Sequence, residues 1–391
     1  MRSALNGREG ELQKLKIGIV GAGRMGRIRS LSASAHPKSE VVGVVDSIVE
    51  HARSLAADIG CPVDTDWQKL VAREDVDAIV VATPHKYLAP IAAAALREGK
   101  YVFCEKPGAR NTAEAEVVLR AAYGGLHPRD SESQNNTRLT VGFTLRHYPA
   151  IAHAHELVAR GAIGELMYVR ARYGHGGRPD YNLEWRGNLE MAGGGELLDQ
   201  GVHLIDLSRW FLGEFQHVSG SVGTYFWGHD RSTTDLEDNA FLSLRTETGR
   251  IAWLHASWTQ WKNLFSFEIY GREGSIEVNG LAGHYGSQKL QITRRREQGG
   301  PPELQELDFG SGGKGSAQDD VWTREWAAFI SSVVEHKEAR NSKPSSLSAS
   351  GLDAWEALKI VEAAYEASRS GKGVMLGQFA AVSSDVGSCH Q

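Results

Sequence analysis

The run Lys16-Ile17-Gly18-Ile19-Val20 ends directly in Gly21-Ala22-Gly23-Arg24-Met25-Gly26, and few folds accept that join. An apolar strand running into three spaced glycines predicts a tight turn, close backbone approach to a pyrophosphate, and a helix packed hard on its strand. The N-terminus of that helix would point free N–H groups and the positive end of its dipole at the phosphates. Alone, the spacing is a weak signal, and a plain strand–helix turn would also satisfy it. Here a strand precedes it, a helical pattern follows it, and Asp46 closes the next apolar run, Val41-Val42-Gly43-Val44-Val45. A carboxylate in that place can accept hydrogen bonds from both ribose hydroxyls of an adenosine and repel a 2′-phosphate. The alternative for Asp46 is a helix N-cap. Ser47 and Ile48 bring no arginine to clamp a phosphate, so NAD is expected rather than NADP.

The rhythm continues beyond this unit. Ala78–Ala82, Tyr101–Cys104 and Leu139–Phe143 read as further buried strands, separated by helical segments that close on Gly or Pro. Strand–helix alternation of this kind builds a parallel sheet with helices on both faces. A chain of 391 residues is too long for one ordinary core. The pattern changes near Pro149. From Val218 to Thr293 short alternating runs separated by turn signals predict antiparallel sheet, and helices are expected at about Asp319–His336 and Leu352–Ser370. The expected division is a dinucleotide-binding domain over 15–148 and a second domain over 149–376, with loose ends at 1–14 and 377–391. Gly124 to Arg138 reads as an enlarged surface loop.

A formal charge of −5 argues against nucleic acid or an anionic membrane as the main partner. Cys61, Cys104 and Cys389 lack metal-ligand spacing, and His153 and His155, two apart on a helix, face different ways, so no metal is expected. No secretory leader or membrane-length apolar run is seen, and a reducing cytoplasm is the expected compartment.

Two stretches carry the chemistry. Cys104-Glu105-Lys106-Pro107 follows a parallel strand at the sheet edge where such folds bind ligands. Lys106 could hydrogen-bond a substrate hydroxyl and stabilise a developing alkoxide, with Glu105 orienting it. The alternative is an ordinary surface Glu–Lys pair. Further on, Gly193-Gly194-Gly195 leads into a helix on which Asp199, His203 and Asp206 are spaced four and three apart, on one face. A histidine flanked by carboxylates suits proton transfer from an alcohol; a purely structural pairing is the alternative. The intervening loop, Tyr173 to Arg186, should overhang the cleft. Arg172, Arg178 and Arg186 offer forked donors there and Trp185 a flat apolar face, which suit a hydroxyl-rich ring.

Taken in order, the glycine fingerprint, Thr83-Pro84, Glu105-Lys106-Pro107 and the Gly-Gly-Gly…Asp…His…Asp helix resemble the glucose–fructose oxidoreductase, inositol dehydrogenase and MocA family, from about Leu15 to Leu376. The resemblance implies an N-terminal Rossmann domain with a parallel sheet. It also implies a C-terminal α+β domain whose large, open, mainly antiparallel sheet builds homodimers or homotetramers. It implies catalytic roles for Lys106, His203 and Asp199, the last also holding substrate hydroxyls. Cofactor contacts are expected from Gly21, Ala22, Gly23, Arg24, Met25, Gly26, Asp46, Thr83, Pro84, His85, Glu105 and Lys106. Substrate contacts are expected from Lys106, Arg172, Arg178, Trp185, Arg186, Asp199 and His203. One departure stands out: where many members read Thr-Pro-Asn-x-x-His, this chain has His85 and Leu88. Three functions fit: an NAD-dependent dehydrogenase of a carbohydrate-like small molecule, a glycoside hydrolase using transient oxidation by NAD, and an NAD-binding protein without turnover.

Overall fold

The computed structural model describes residues 14–64, 66–124, 138–228, 236–311, 317–337 and 347–378. The expected loose ends and the 124–138 insertion lie, but for a few residues at their edges, outside the described residues.

The first sheet joins β1 (Leu15–Val20), β2 (Ser39–Val45), β3 (Val63–Asp64), β4 (Ala78–Val81), β5 (Tyr101–Glu105) and β6 (Leu139–Gly142) in the order β6-β5-β4-β1-β2-β3. These strands pair in parallel. Helices α1 (Arg24–Ala35), α2 (Val49–Ile59), α3 (Trp67–Ala72), α4 (His85–Arg97) and α5 (Thr112–Ala122) make the crossovers. Every residue of β4 and β5 is buried, which is what helices on both faces impose and why those strands read as unbroken apolar runs. Strand order reverses between β1 and β4. The crevice at that switch point is where this architecture receives a ligand.

Beyond α6 (Pro149–Ala159) the second sheet begins with β7 (Leu166–Gly174). After α7 (Leu189–Ala192) and α8 (Val202–Leu212) it gains β8 (Phe215–Gly223), β9 (Asn239–Thr246), β10 (Ile251–Ser257), β11 (Leu264–Gly271), β12 (Gly274–Asn279), β13 (Lys289–Arg294) and β14 (Glu303–Asp308). Then follow α9 (Ala317–Lys337), β15 (Ala349–Ser350), α10 (Gly351–Ser370) and β16 (Val374–Met375). The order is β14-β13-β12-β11-β7-β10-β9-β8-β16. It is antiparallel as expected, except that β7 and β10 run parallel at its centre. One face is covered by helices, including α8 and α10. Along β7, Val169 and Ala171 point into that core, while Tyr168, Arg170 and Arg172 point to the open face. Among the described residues, no helix is long and apolar enough to cross a membrane.

The chain then returns to its first half. β15 pairs with β6, and α9 lies on α1, where Trp326 Nε1 donates to Ser39 Oγ at 3.0 Å. Between these elements Arg29 of α1 is wholly buried. Its guanidinium donates to Glu105 Oε1 and Glu325 Oε2, both at 2.6 Å, and to Thr144 Oγ1 at 3.2 Å. The Phe103 and Trp322 rings lie 4.4 and 4.9 Å from it. One cation thus ties α1, β5, α9 and the turn after β6 together. Substituting Arg29→Met would strand two buried carboxylates, a loss of about 3–5 kcal/mol. Urea unfolding should show that loss, and a change below about 1 kcal/mol would mean that the carboxylates find other partners.

Candidate active site

The glycine turn shows in its packing why it must be glycine. Gly21 adopts φ +98°, and a Cβ there would lie 2.4 Å from the Ala82 carbonyl oxygen; a Cβ on Gly26 would lie 1.8 Å from that of Gly21. Gly23, by contrast, has nothing within 4 Å of its absent Cβ. The outer two glycines therefore close the strand–helix joint, and the middle one leaves an open approach to the start of α1. Asp46 Oδ2 accepts the Ala22 N–H at 2.7 Å and Oδ1 accepts that of Ile48 at 2.8 Å. The carboxylate keeps further lone pairs for ribose hydroxyls. Arg24 is exposed and Met25 half-buried beside this turn. Thr83, whose buried Oγ1 has no hydrogen-bond partner, and Pro84 face it from the end of β4. An open cradle beside a helix N-terminus and a fixed carboxylate is the donor set that an adenine dinucleotide requires.

Lys106 emerges from the end of β5, at the other side of the crevice. Its Nζ donates to Asp199 Oδ1 at 2.5 Å and to the Asp199 carbonyl at 2.6 Å. Arg186 Nε donates to Asp199 Oδ2 at 3.1 Å. Burial alone would push Asp199 up, but Lys106 and Arg186, one on each oxygen, hold it well below the usual carboxylate range. Asp199 sits in a π-turn, Leu197–Gly201, that feeds α8. Such wide turns occur at functional sites. Its N-terminal N–H groups need an acceptor, and Glu237 supplies one: its carboxylate takes the N–H of Gly195 at 3.1 Å and of Leu197 at 3.0 Å, and the Tyr365 hydroxyl at 2.8 Å. A Cβ on Gly194 or Gly195 would strike the Tyr365 hydroxyl at 2.4 Å or the Glu237 carbonyl at 2.1 Å. The glycine run is thus a packing requirement.

His203 lies at the start of α8, buried, with the Phe143 ring edge-on at 5.8 Å. Burial and the Lys106 charge lower its pKa to about 3, against a weaker pull from Asp199. Burial likewise brings His85 to about 3, with Lys106, and His175 to about 4, with Arg186, among the other causes. Three imidazoles around one ion pair are therefore neutral across the physiological range. Trp185 meets His85 edge-on at 4.8 Å and carries Arg186 over its ring at 4.4 Å.

Several expectations need correction. Glu105 does not orient Lys106 or face the cofactor cradle; it is consumed by Arg29, and Asp199 holds the lysine instead. Asp206 does not flank His203. It pairs with Arg146, at 2.9 and 2.5 Å, in a buried structural bridge, and His203 Nδ1 has no partner. Arg172 points to the open sheet face, because alternation along β7 gives the cleft side to Tyr173. Arg178 is exposed and paired with Glu184 at 2.7 Å. His85 turns from the cofactor turn towards the second domain, its Nδ1 2.8 Å from the Ala192 carbonyl. Lys106, Asp199, His203, Arg186 and Trp185 do converge. The residues not foreseen are Arg29, Glu196 and Glu237, which sit far apart in sequence or within an otherwise apolar run, and Tyr173 and His175. The period of β7 pointed to Tyr173.

Comparison with known proteins settles the family. Residues 15–124 match the oxidoreductase family with NAD-binding Rossmann fold, and residues 151–277 match the GFO/IDH/MocA C-terminal domain. Levoglucosan dehydrogenase of Pseudarthrobacter phenanthrenivorans is 31% identical over 68% of this chain and 74% of its own. The chain belongs to the GFO/IDH/MocA oxidoreductase family. Inositol 2-dehydrogenase of Rhizobium meliloti is 25% identical over 90% of this chain and 96% of that protein. A solved levoglucosan dehydrogenase in complex with NADH and levoglucosan superposes with a TM-score of 0.79 at 25% identity, covering 94% of this chain and all of that one. The cofactor of this family member is accordingly NAD, and the cradle described above fits it. With Asp46 as the ribose acceptor, Asp46→Ala should erode the preference for NAD over NADP by at least about tenfold, roughly the weight of one hydrogen bond to a charged group. Binding titrations with both cofactors would show it; an unchanged ratio would remove Asp46 from that role.

Proposed function

We propose that this oxidoreductase transfers a hydride between nicotinamide and a ring carbon of a sugar, amino sugar, nucleotide sugar or cyclitol, interconverting CH–OH and C=O. The observation that carries this reading is the bond of Lys106 from the first domain to Asp199 from the second, with His203 near enough to feel the lysine's charge, at the crevice of the dinucleotide fold. The levoglucosan and inositol dehydrogenases among its relatives support a polyhydroxylated ring as substrate. When bound, NAD accepts or returns the hydride. The protein's own groups handle the oxygen. Lys106 Nζ donates to the reacting oxygen and stabilises negative charge as it develops there. Neutral His203 takes the hydroxyl proton on oxidation and gives it back on reduction. Asp199, held anionic by two cations, keeps Lys106 charged and aimed and accepts from a neighbouring ring hydroxyl. Arg186 and Trp185 wall the ring in.

A second reading has one specific support. A 2,7-anhydro-N-acetylneuraminate hydratase of Mediterraneibacter gnavus, 24% identical, is among the relatives. A transient oxidation that permits elimination, with NAD regenerated inside the cycle, would run on the same residues.

The assay follows NADH absorbance with NAD and a panel of sugars, cyclitols, glycosides and nucleotide sugars. NADH formation with a panel member is expected, and Lys106→Met should lower kcat/KM at least about 100-fold while leaving NAD binding intact. Bond cleavage without net NADH would favour the second reading, and full activity in Lys106→Met would overturn both.

The same reading makes the enzyme a cytoplasmic homodimer or homotetramer. The helix-free face of the second sheet exposes Tyr168, Ile251 and Trp253, and a copy of the chain is the partner best suited to cover it. Light scattering should give a multiple of the chain mass, reduced by Trp253→Lys; a monomer in the unaltered protein would refute the assembly.

A further inference from the structure

Past the ends of its strands the second sheet carries a group of aromatic side chains that the catalytic centre does not use. Phe226 and Trp227 follow β8, and Trp258 and Trp261 follow β10. Phe226 is 53% exposed and Trp261 68%. Phe226 stands edge-on to two indoles, 5.2 Å from Trp227 and 5.0 Å from Trp261, so the rings form a corner at the surface. Single apolar side chains on a surface need no reason, but a contiguous group does.

The corner is held rigidly. The Asp238 carboxylate takes the N–H groups of Tyr225, Phe226 and Trp227 at 2.9, 2.7 and 3.0 Å, so three consecutive residues hang on one anion. Trp227 Nε1 donates to the Trp258 carbonyl at 3.0 Å. The loop after β7 lies against both outer indoles: a Cβ on Gly177 would come 2.5 Å from the Trp227 ring, and one on Gly176 3.3 Å from that of Trp261. Rings fixed before a ligand arrives lose little freedom in binding it.

The same loop joins the corner to the catalytic crevice. Tyr173, at the cleft side of β7, lies 6.2 Å from the His203 ring, and His175 follows two residues later. His175 meets the buried Tyr181 edge-on at 5.3 Å. Tyr181 in turn lies 5.3 Å from Trp258 and 6.1 Å from Trp227. Five residues beyond Tyr181, Arg186 Nε is bonded to Asp199. One loop thus rests on the aromatic corner at its start and on the catalytic carboxylate at its end.

The charges bonded into the corner are already used. Asp238 is taken by three backbone N–H groups and by Asn239 Nδ2 at 3.0 Å. Arg178, which lies over the Tyr181 ring at 5.4 Å, is paired with Glu184 at 2.7 Å. A nucleotide's diphosphate calls for free cations, and the guanidinium on these rings is engaged. An uncharged polyhydroxylated ring suits the corner better, with its C–H face laid on an aromatic ring. The half-buried amide residues Gln260 and Asn263 flank Trp261 in the same turn and bring groups that pair with hydroxyls.

We propose that this corner binds a second sugar ring, so that the substrate is a disaccharide whose oxidised ring sits at Lys106 and whose other ring rests on Phe226 and Trp261. The proposal rests on the carbohydrate reading above and narrows its substrate class. Binding energy gathered on the far ring is then available to hold the reacting ring in place.

The test reads binding without turnover. The enzyme loaded with NADH is titrated by calorimetry with maltose, cellobiose, isomaltose, laminaribiose, lactose and trehalose, and with glucose, galactose and UDP-glucose. At least one disaccharide should bind about tenfold more tightly than its component sugars, the weight of one stacked ring. Trp261→Ala and Phe226→Ala should each bring that ratio to within about twofold of one. Disaccharides that bind no better than their components would overturn the proposal, as would a preference that survives in both variants. Tighter binding of UDP-glucose than of any disaccharide, lost in Trp261→Ala, would give the corner to a nucleotide and overturn it too. A smaller assembly in Trp261→Ala by light scattering, with no disaccharide preference in the unaltered enzyme, would assign the rings to a subunit contact instead. Failure here is separable from failure of the hydride reading. NADH formed from single sugars without a disaccharide preference would sustain the dehydrogenase and refute the corner; a preference that depends on Trp261 in an enzyme that forms no NADH would do the reverse.

Discussion

The bridge from Lys106 to Asp199 crosses from one domain to the other, and the arrangement of the site depends on it. A half-buried ammonium at the end of β5 and a buried carboxylate in the turn before α8 each lose hydration on folding. Their attraction offsets that loss only if the two domains meet at this point. The pair therefore fixes interdomain geometry as well as chemistry. Arg186 takes the second oxygen of Asp199, so the carboxylate is clamped in its plane and the loop above the crevice is drawn down with it. His85 on Ala192 and Lys86 on Glu190 tie that same loop to the first helix beyond β4.

Around this bridge the protein spends most of its buried charge on holding things still. Arg29 consumes Glu105 and Glu325, and Arg146 consumes Asp206 and reaches Asp353. Glu237 satisfies the backbone of the π-turn that presents Asp199. Few titratable groups are left to respond to a substrate. The histidines are neutral, Asp199 is held anionic by two cations, and burial raises the pKa of the unpartnered Glu196 carboxyl. A site built this way changes charge little on its own, which suits a reaction whose only proton must go to a defined place.

The first domain was readable from sequence because its constraints are local. A strand ending in glycines, an acid one strand later and a lysine one residue past a buried strand are each set by neighbours in the chain. Lys106, Asp199 and His203, which the structure brings together, were singled out by the same means. What failed were pairings across long separations. Glu105 adjoins Lys106 in sequence, but strand alternation turns its carboxylate to Arg29, 76 residues away. Asp206 has the helical spacing of a partner for His203, but Arg146 from the segment after β6 claims it. Arg172 shows the opposite case, since strict alternation along β7 was sufficient to place it away from the cleft.

The most direct test of the Lys106–Asp199 centre is a crystal structure with NADH and an unreactive substrate analogue. The account predicts the analogue's oxygen within hydrogen-bond reach of Lys106 Nζ, about 2.6–3.2 Å. It also predicts the adjoining ring carbon about 3–3.5 Å from nicotinamide C4, with Asp199 still on the lysine. A dinucleotide in the cradle with the oxygen held by other groups, and Lys106 engaged by Asp199 alone, would contradict it.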